Sequence, residues 1–256
     1  MVMQAVVEDL MTHYQVSGLS AAKKPRTLLL LHGWGDNLST FKDLQSELSK
    51  DYRVFSLDLP GFGQTQMPPA VWGLREYAQF TKDFMGKMKI HPYAIIGHSN
   101  GAALAIDGVA HGQLAPQKLI LMGAAGIRDQ QKARRLAIKV IAKSGKYATI
   151  WLPQRRRQSL RKRLYGVAGS DALVVPQLQE TFRKTVKQDV QAEATQLEVP
   201  TLLIYGEQDK ATPPLYGEIY HNQIKNSTLE ILGQAGHFVH HDQPEKVTGL
   251  IKDFLK

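Results

Sequence analysis

Tyr93-Ala94-Ile95-Ile96-Gly97-His98-Ser99-Asn100-Gly101-Ala102-Ala103 decides the fold. A short apolar run of strand length ends in a glycine–x–serine–x–glycine pattern, then passes into small residues suited to a first helical turn. That order describes a buried strand turning sharply into a helix, with the serine hydroxyl lifted to the carboxyl edge of a sheet. A side chain at Gly97 or Gly101 would crowd so tight a turn. Ser99 is therefore the candidate nucleophile.

Two further segments complete a constellation around it. Thr27-Leu28-Leu29-Leu30-Leu31 reads as a buried strand and runs into His32-Gly33-Trp34-Gly35-Asp36, a loop able to aim backbone N–H groups at a developing oxyanion. Near the C-terminus, Thr201-Leu202-Leu203-Ile204-Tyr205 ends in Gly206-Glu207-Gln208-Asp209, and Leu229-Glu230-Ile231-Leu232 leads to Gly236-His237-Phe238. A serine needs an adjacent base to become a strong nucleophile, and a histidine titrating near neutrality can be that base. His237 is the candidate base. Asp209 is the candidate acid that would hold the imidazole in the right tautomer.

Competitors sit close to each choice. Glu207 lies two positions before Asp209, but the spacing from Asp209 to Pro213 marks a loop ending at a helix start, where the acid belongs. No acidic residue follows the strand ending at Met122. His240 and His241, beside Asp242, are expected as exposed helix-start residues. The backbone N–H groups of Asn100 and Trp34 are the expected oxyanion donors. Asp58-Leu59-Pro60-Gly61 reads as a structural turn whose aspartate ties down neighbouring amides. His98 is either a satisfied buried histidine or a pocket wall, and stays outside the catalytic set.

At 256 residues the chain suits one large α/β core with an insertion. It has no cysteine, which excludes disulfides, thiolate metal sites and cysteine nucleophiles and is compatible with a reducing cytoplasm. Residues 1–10 lack the basic start and apolar core of a secretory signal. No apolar stretch approaches the roughly 20 residues that span a bilayer. The expectation is a cytoplasmic protein without stable membrane insertion, with homo-oligomerisation left open. The net charge of +9 is concentrated in residues 126–190, which hold 16 Lys or Arg against four acids. Arg155-Arg156-Arg157 and Arg161-Lys162-Arg163 lack interleaved aromatics, so a solvated face is expected there rather than a nucleic-acid partner.

A hairpin is expected with strands near 3–8 and 11–17. Further strands are expected near 27–32, 52–57, 93–98, 117–122, 200–206 and 227–232. Helices are expected near 40–49, 74–89, 100–112, 213–222 and 243–255. Continuous apolar strands alternating with helices predict an α/β fold, a doubly wound and mostly parallel sheet with right-handed crossovers. The alternation breaks after Leu121-Met122-Gly123, where helices at Ala133–Ala142 and Pro176–Lys187 are the better candidates.

The serine elbow, the chain order Ser, Asp, His, and the landmarks Asp58-Leu59-Pro60-Gly61-Phe62-Gly63 and Gly236-His237 resemble the α/β-hydrolase superfamily over essentially the whole chain. The resemblance implies a core of residues 1–125 and 191–256 and a helical lid over residues 126–190. It also implies a Ser99–Asp209–His237 triad, with Asn100 and Trp34 forming the oxyanion hole and no metal or organic cofactor. Within the superfamily, Ser99 argues against branches that use an aspartate nucleophile. Size and lid are similar to small carboxylesterases and meta-cleavage-product C–C hydrolases. The latter typically carry Asn before the nucleophile and Trp after the histidine, where this chain has His98 and Phe238. The leading expectation is hydrolysis of small to medium carboxylic esters through an acyl-enzyme. C–C hydrolysis and a ligand-binding protein on a hydrolase scaffold are the alternatives.

Overall fold

In the computed structural model, residues 2–18, 25–128 and 176–256 are described. The strands are β1 (Val2–Val7), β2 (Leu10–Gly18), β3 (Thr27–Leu31), β4 (Arg53–Leu57), β5 (Ala94–His98), β6 (Lys118–Met122), β7 (Thr201–Gly206) and β8 (Ser227–Leu232). The helices are α1 (Lys42–Leu48), α2 (Leu74–Met88), α3 (Asn100–Ala110), α4 (Gln179–Lys187), α5 (Gln191–Ala194), α6 (Pro214–Gln223), α7 (Val239–Asp242) and α8 (Pro244–Leu255). The expected helix at Ala133–Ala142 and both basic runs lie outside the described residues.

One eight-stranded sheet runs in the order β1-β2-β4-β3-β5-β6-β7-β8. β1 and β2 form the antiparallel hairpin, joined by Glu8 and Asp9 at φ 45° and 61°. Two residues of positive φ give a turn whose twist matches that of the strands. β2 pairs antiparallel with β4, and the remaining pairs are parallel. From β3 the chain steps to β4 on one side and later to β5 on the other. That reversal opens a crevice at the carboxyl ends of β3 and β5, the usual ligand position in an open α/β sheet. Ser99 and the loop His32–Trp34 both lie there.

The leucine run of β3 explains the layering. Leu28 and Leu30 enter one buried cluster, while Leu29 and Leu31 enter the other. Side chains alternate across a strand, so an unbroken apolar run is stable only where both faces are covered. On one face Leu74, Tyr77, Ala78, Phe84 and Met85 of α2 follow helical spacing and pack with α3 and α6. On the other face lie Leu44 and Leu48 of α1 with Val247, Ile251 and Leu255 of α8.

The elbow is held by close backbone contact. A Cβ on Gly101 would stand 2.2 Å from the Leu31 carbonyl oxygen and 2.6 Å from that of His32. Neither oxygen belongs to a flexible side chain. Gly101→Ala is therefore expected to destabilise the protein by about 3 kcal/mol in urea unfolding, through overpacking against backbone. An unchanged midpoint would mean that α3 does not sit against the end of β3.

Candidate active site

Ser99 lies between β5 and α3 with φ 52° and ψ −115°, a conformation that L side chains rarely adopt. Four backbone bonds hold it there. Its N–H donates to the Met122 carbonyl at 2.9 Å, and its carbonyl accepts from Ala102 (3.1 Å), Ala103 (3.2 Å) and Ala125 (3.1 Å). The residue is half-buried. Gly33 runs alongside, since a Cβ there would be 3.1 Å from Ser99 Cβ. The loop carrying Trp34 thus passes beside the serine. Asn100 opens α3, so its amide belongs to the first turn, whose N–H groups have no partner within the helix.

Asp209 and His237 arrive from the ends of β7 and β8. The two loops are zipped together by Gln208 N–H to Ala235 O at 2.9 Å, and Gly206 leaves room for the Gly236 carbonyl. His237 Nδ1–H donates to Asp209 Oδ2 at 2.7 Å. The other carboxylate oxygen accepts the N–H groups of Ala211 (2.8 Å) and Thr212 (2.9 Å). Thr212 Oγ1–H adds a 2.7 Å bond to Oδ2. The Asp209 side chain is fully enclosed, and burial alone would raise its pKa. The hydrogen bond and charge of His237, then the Thr212 amide and hydroxyl, outweigh burial and hold it below the ordinary carboxylate value. Glu207 is exposed, so Asp209 is the acid paired with His237. The His237 ring is partnered by Asp209 and Thr212; a bond to Ser99 Oγ is not among its contacts. Nucleophile–base contacts are commonly loose before substrate binds.

Sequence reasoning placed His240 on the surface, and the structure corrects this. Its side chain is buried, packed against Phe41 and 5.0 Å ring to ring from His98. Helix α7 turns His240 inward while His241 stays exposed and donates from Nε2 to the Thr40 carbonyl at 2.8 Å. His98 is also buried and donates from Nε2 to the His237 carbonyl at 3.0 Å, with its ring 4.8 Å from that of His237. Burial first, then the neighbouring histidines, pushes His98 well below the ordinary histidine value. The same causes push His240 down to about 3.

Asp58 accepts from the amides of Leu38 (2.7 Å) and Gln64 (2.9 Å) and pairs with His13 at 2.6 Å, fastening the turn beside the crevice. Elsewhere Asp107, His111 and Glu193 bring ligand-type atoms within 4.8 Å of one another. Asp107 is engaged there by Arg75 at 3.0 Å, and His111 Nδ1–H by the Asp107 carbonyl at 2.9 Å. Thr212 carried no signal in the sequence beyond standing before Pro213 in the acid loop.

The model of the alpha/beta hydrolase family matches residues 28–250. The chain belongs to that family. A pimeloyl-[acyl-carrier protein] methyl ester esterase of Neisseria meningitidis serogroup B (strain H44/76) is 26% identical over 246 residues, covering 90% of this chain and 93% of the relative. A hydrolase of Bacillus subtilis (strain 168) is 23% identical, covering 95% and 93%. Among solved structures, the enol-lactonase from Burkholderia xenovorans LB400 superposes with a TM-score of 0.75 at 21% identity, covering 99% of each chain. The protein is thus a hydrolase by family. No helix among the described residues is long and apolar enough to cross a membrane.

The buried histidines make stability depend on pH. In the folded protein His240 stays neutral down to about 3, whereas in the unfolded chain it takes up a proton below 6.5. Unfolding therefore binds a proton in that window, and the stability present above it is lost as pH falls through it. His240→Gln is expected to flatten the decline of unfolding free energy between pH 6.5 and 4 by about 1.4 kcal/mol per pH unit. Parallel curves for variant and wild type would contradict a neutral, buried His240.

Proposed function

We propose that the protein is a serine esterase acting on carboxylic esters of small to medium acyl chains. The observation that carries the reading is the enclosed Asp209 carboxylate bonded at 2.7 Å to His237, in the crevice where the strained Ser99 elbow lies. His237 would take the proton of Ser99 as its Oγ attacks the ester carbonyl carbon. The tetrahedral oxyanion would then accept hydrogen bonds from the backbone N–H groups of Asn100 and Trp34. Collapse would expel the alcohol, protonated by His237 Nε2, and leave an acyl-enzyme. Water, deprotonated by His237, would release the acid and restore Ser99. Asp209 would keep the Nδ1 proton in place throughout.

The similarity to a methyl ester esterase over nearly the whole chain supports an ester over other acyl substrates. Residues 126–190 are proposed as the lid. Its C-terminal end supports this, since Phe182 on α4 lies 5.1 Å ring to ring from Trp34. Trp34 in turn packs on Phe62 at 4.9 Å, giving the crevice an aromatic wall.

p-Nitrophenyl esters of graded chain length, with one dienoate C–C substrate in the panel, test the reading. Ser99→Ala and His237→Ala are expected to lower kcat/KM by roughly a thousandfold or more without loss of fold. Asp209→Asn should cost a similar factor by favouring the wrong tautomer, and Glu207→Gln should stay within about threefold. Retention of a tenth of the activity in Ser99→Ala would remove the serine from the mechanism. Turnover confined to the dienoate would replace ester cleavage by C–C cleavage.

A further inference from the structure

We infer that Thr212 is a positioning residue that joins the His237–Asp209 pair to the segment holding Ser99. The inference rests on the serine-esterase reading proposed above. Thr212 is buried at 5% exposure, and its hydroxyl meets three segments at once. It donates to Asp209 Oδ2 at 2.7 Å, with the Gly123 carbonyl at 3.0 Å as the second acceptor in reach. Its oxygen lies 3.1 Å from His237 Nδ1, so the Nδ1 proton is held between Asp209 Oδ2 and Thr212 Oγ1.

Gly123 makes this more than a local contact. Gly123 is part of the stretch 122–125 that fixes the Ser99 backbone, through Ser99 N–H to Met122 O and Ala125 N–H to Ser99 O. The Gly123 N–H is itself bonded to the Ile204 carbonyl of β7, at 2.8 Å. There is no spare room at the junction: a Cβ on Gly123 would lie 3.3 Å from both His237 Nδ1 and Thr212 Oγ1. The base and the nucleophile come from loops far apart in sequence, and the Thr212 hydroxyl lies within hydrogen-bond reach of both supports, its one proton serving Asp209 Oδ2 or the Gly123 carbonyl.

The chemical consequence follows from sharing Oδ2. A hydroxyl donor on that oxygen draws charge from the carboxylate and competes with the imidazole N–H. That competition costs most when His237 is an imidazolium, so the hydroxyl favours the neutral base. Among the described residues the titratable groups facing His237 are Asp209, His98 and His240, and both of those histidines are held neutral by burial. The change on removing the hydroxyl therefore belongs to His237.

Thr212→Val keeps the shape and removes the hydroxyl; Thr212→Ser keeps the hydroxyl. On p-nitrophenyl butyrate, Thr212→Val is expected to lower kcat by roughly 10- to 100-fold, the worth of a hydrogen bond to a charged group, with KM unchanged. The acidic limb of its pH–rate profile should move to higher pH by about half a unit. Thr212→Ser should stay within about threefold of wild type, with its limb unmoved. An equal loss in both variants would assign the effect to packing of the methyl group and overturn the inference. So would wild-type kinetics in Thr212→Val. If the valine variant does not fold by circular dichroism, Thr212→Ala removes the same hydroxyl and carries the same expectations. Titrating the His237 imidazole by NMR gives a readout independent of turnover, and it too should move to higher pH without the hydroxyl. An unmoved titration overturns the role of Thr212 whether or not Ser99→Ala has upheld the esterase reading.

Discussion

The site depends on one close approach, that of the Gly101 backbone to the carbonyls of Leu31 and His32. With no Cβ between them, α3 can start directly above the carboxyl end of β3. Ser99 is left at the corner with φ 52°. A conformation of this kind costs on the order of 1–3 kcal/mol and persists only where its surroundings over-determine it. Here they do. The strands on either side are buried on both faces, and four backbone bonds grip the serine itself. Burial of a single leucine is worth about as much as the strain, and each strand supplies several.

A second constraint is electrostatic. A carboxylate with no solvent access must be satisfied by donors or lose its charge. Asp209 has two amides, one hydroxyl and one imidazole N–H, enough to offset burial and keep it ionised. Around it the histidines are treated in the opposite way. His98 and His240 have few partners and are buried, so they stay uncharged. A second positive ring beside His237 would oppose the imidazolium that the proposed esterase reaction requires. The cost is borne in acid, where both buried histidines favour the unfolded chain.

Much of this was legible in the sequence because its physics is local. The strand runs, the helical spacing of Leu74, Tyr77, Ala78 and Phe84, and the two glycines of the elbow are patterns of neighbouring residues. The ends of the eight expected strands fell within one position, and those of the expected helices near 40–49, 74–89, 100–112, 213–222 and 243–255 within two, for the same reason, whereas α4 starts at Gln179 rather than Pro176. Asp209 rather than Glu207 could be read from the loop ending at Pro213. His240 could not, because the run Val239-His240-His241-Asp242 is polar in composition, and only the turn of α7 decides which histidine faces inward. Thr212 was invisible for a related reason. Its partners Gly123 and His237 lie 89 and 25 residues away, and no periodicity encodes such contacts.

Helix α4 shows the same limit from another side. Its seat is polar: Thr181 Oγ1 accepts from Trp72 N–H at 3.3 Å, Gln188 Oε1 just beyond the helix accepts from Leu74 N–H at 2.8 Å, and Lys184 pairs with Glu76 at 2.6 Å. A hydropathy reading finds a helix there but no apolar stripe to say what it packs on. Apolar contact is non-directional and tolerates sliding, whereas each of these bonds has one partner at one distance. A helix seated in this way is registered rather than merely attached. That registration brings Phe182 against Trp34, so the loop beside Ser99 is backed by an aromatic wall whose position is set by hydrogen bonds to the start of α2.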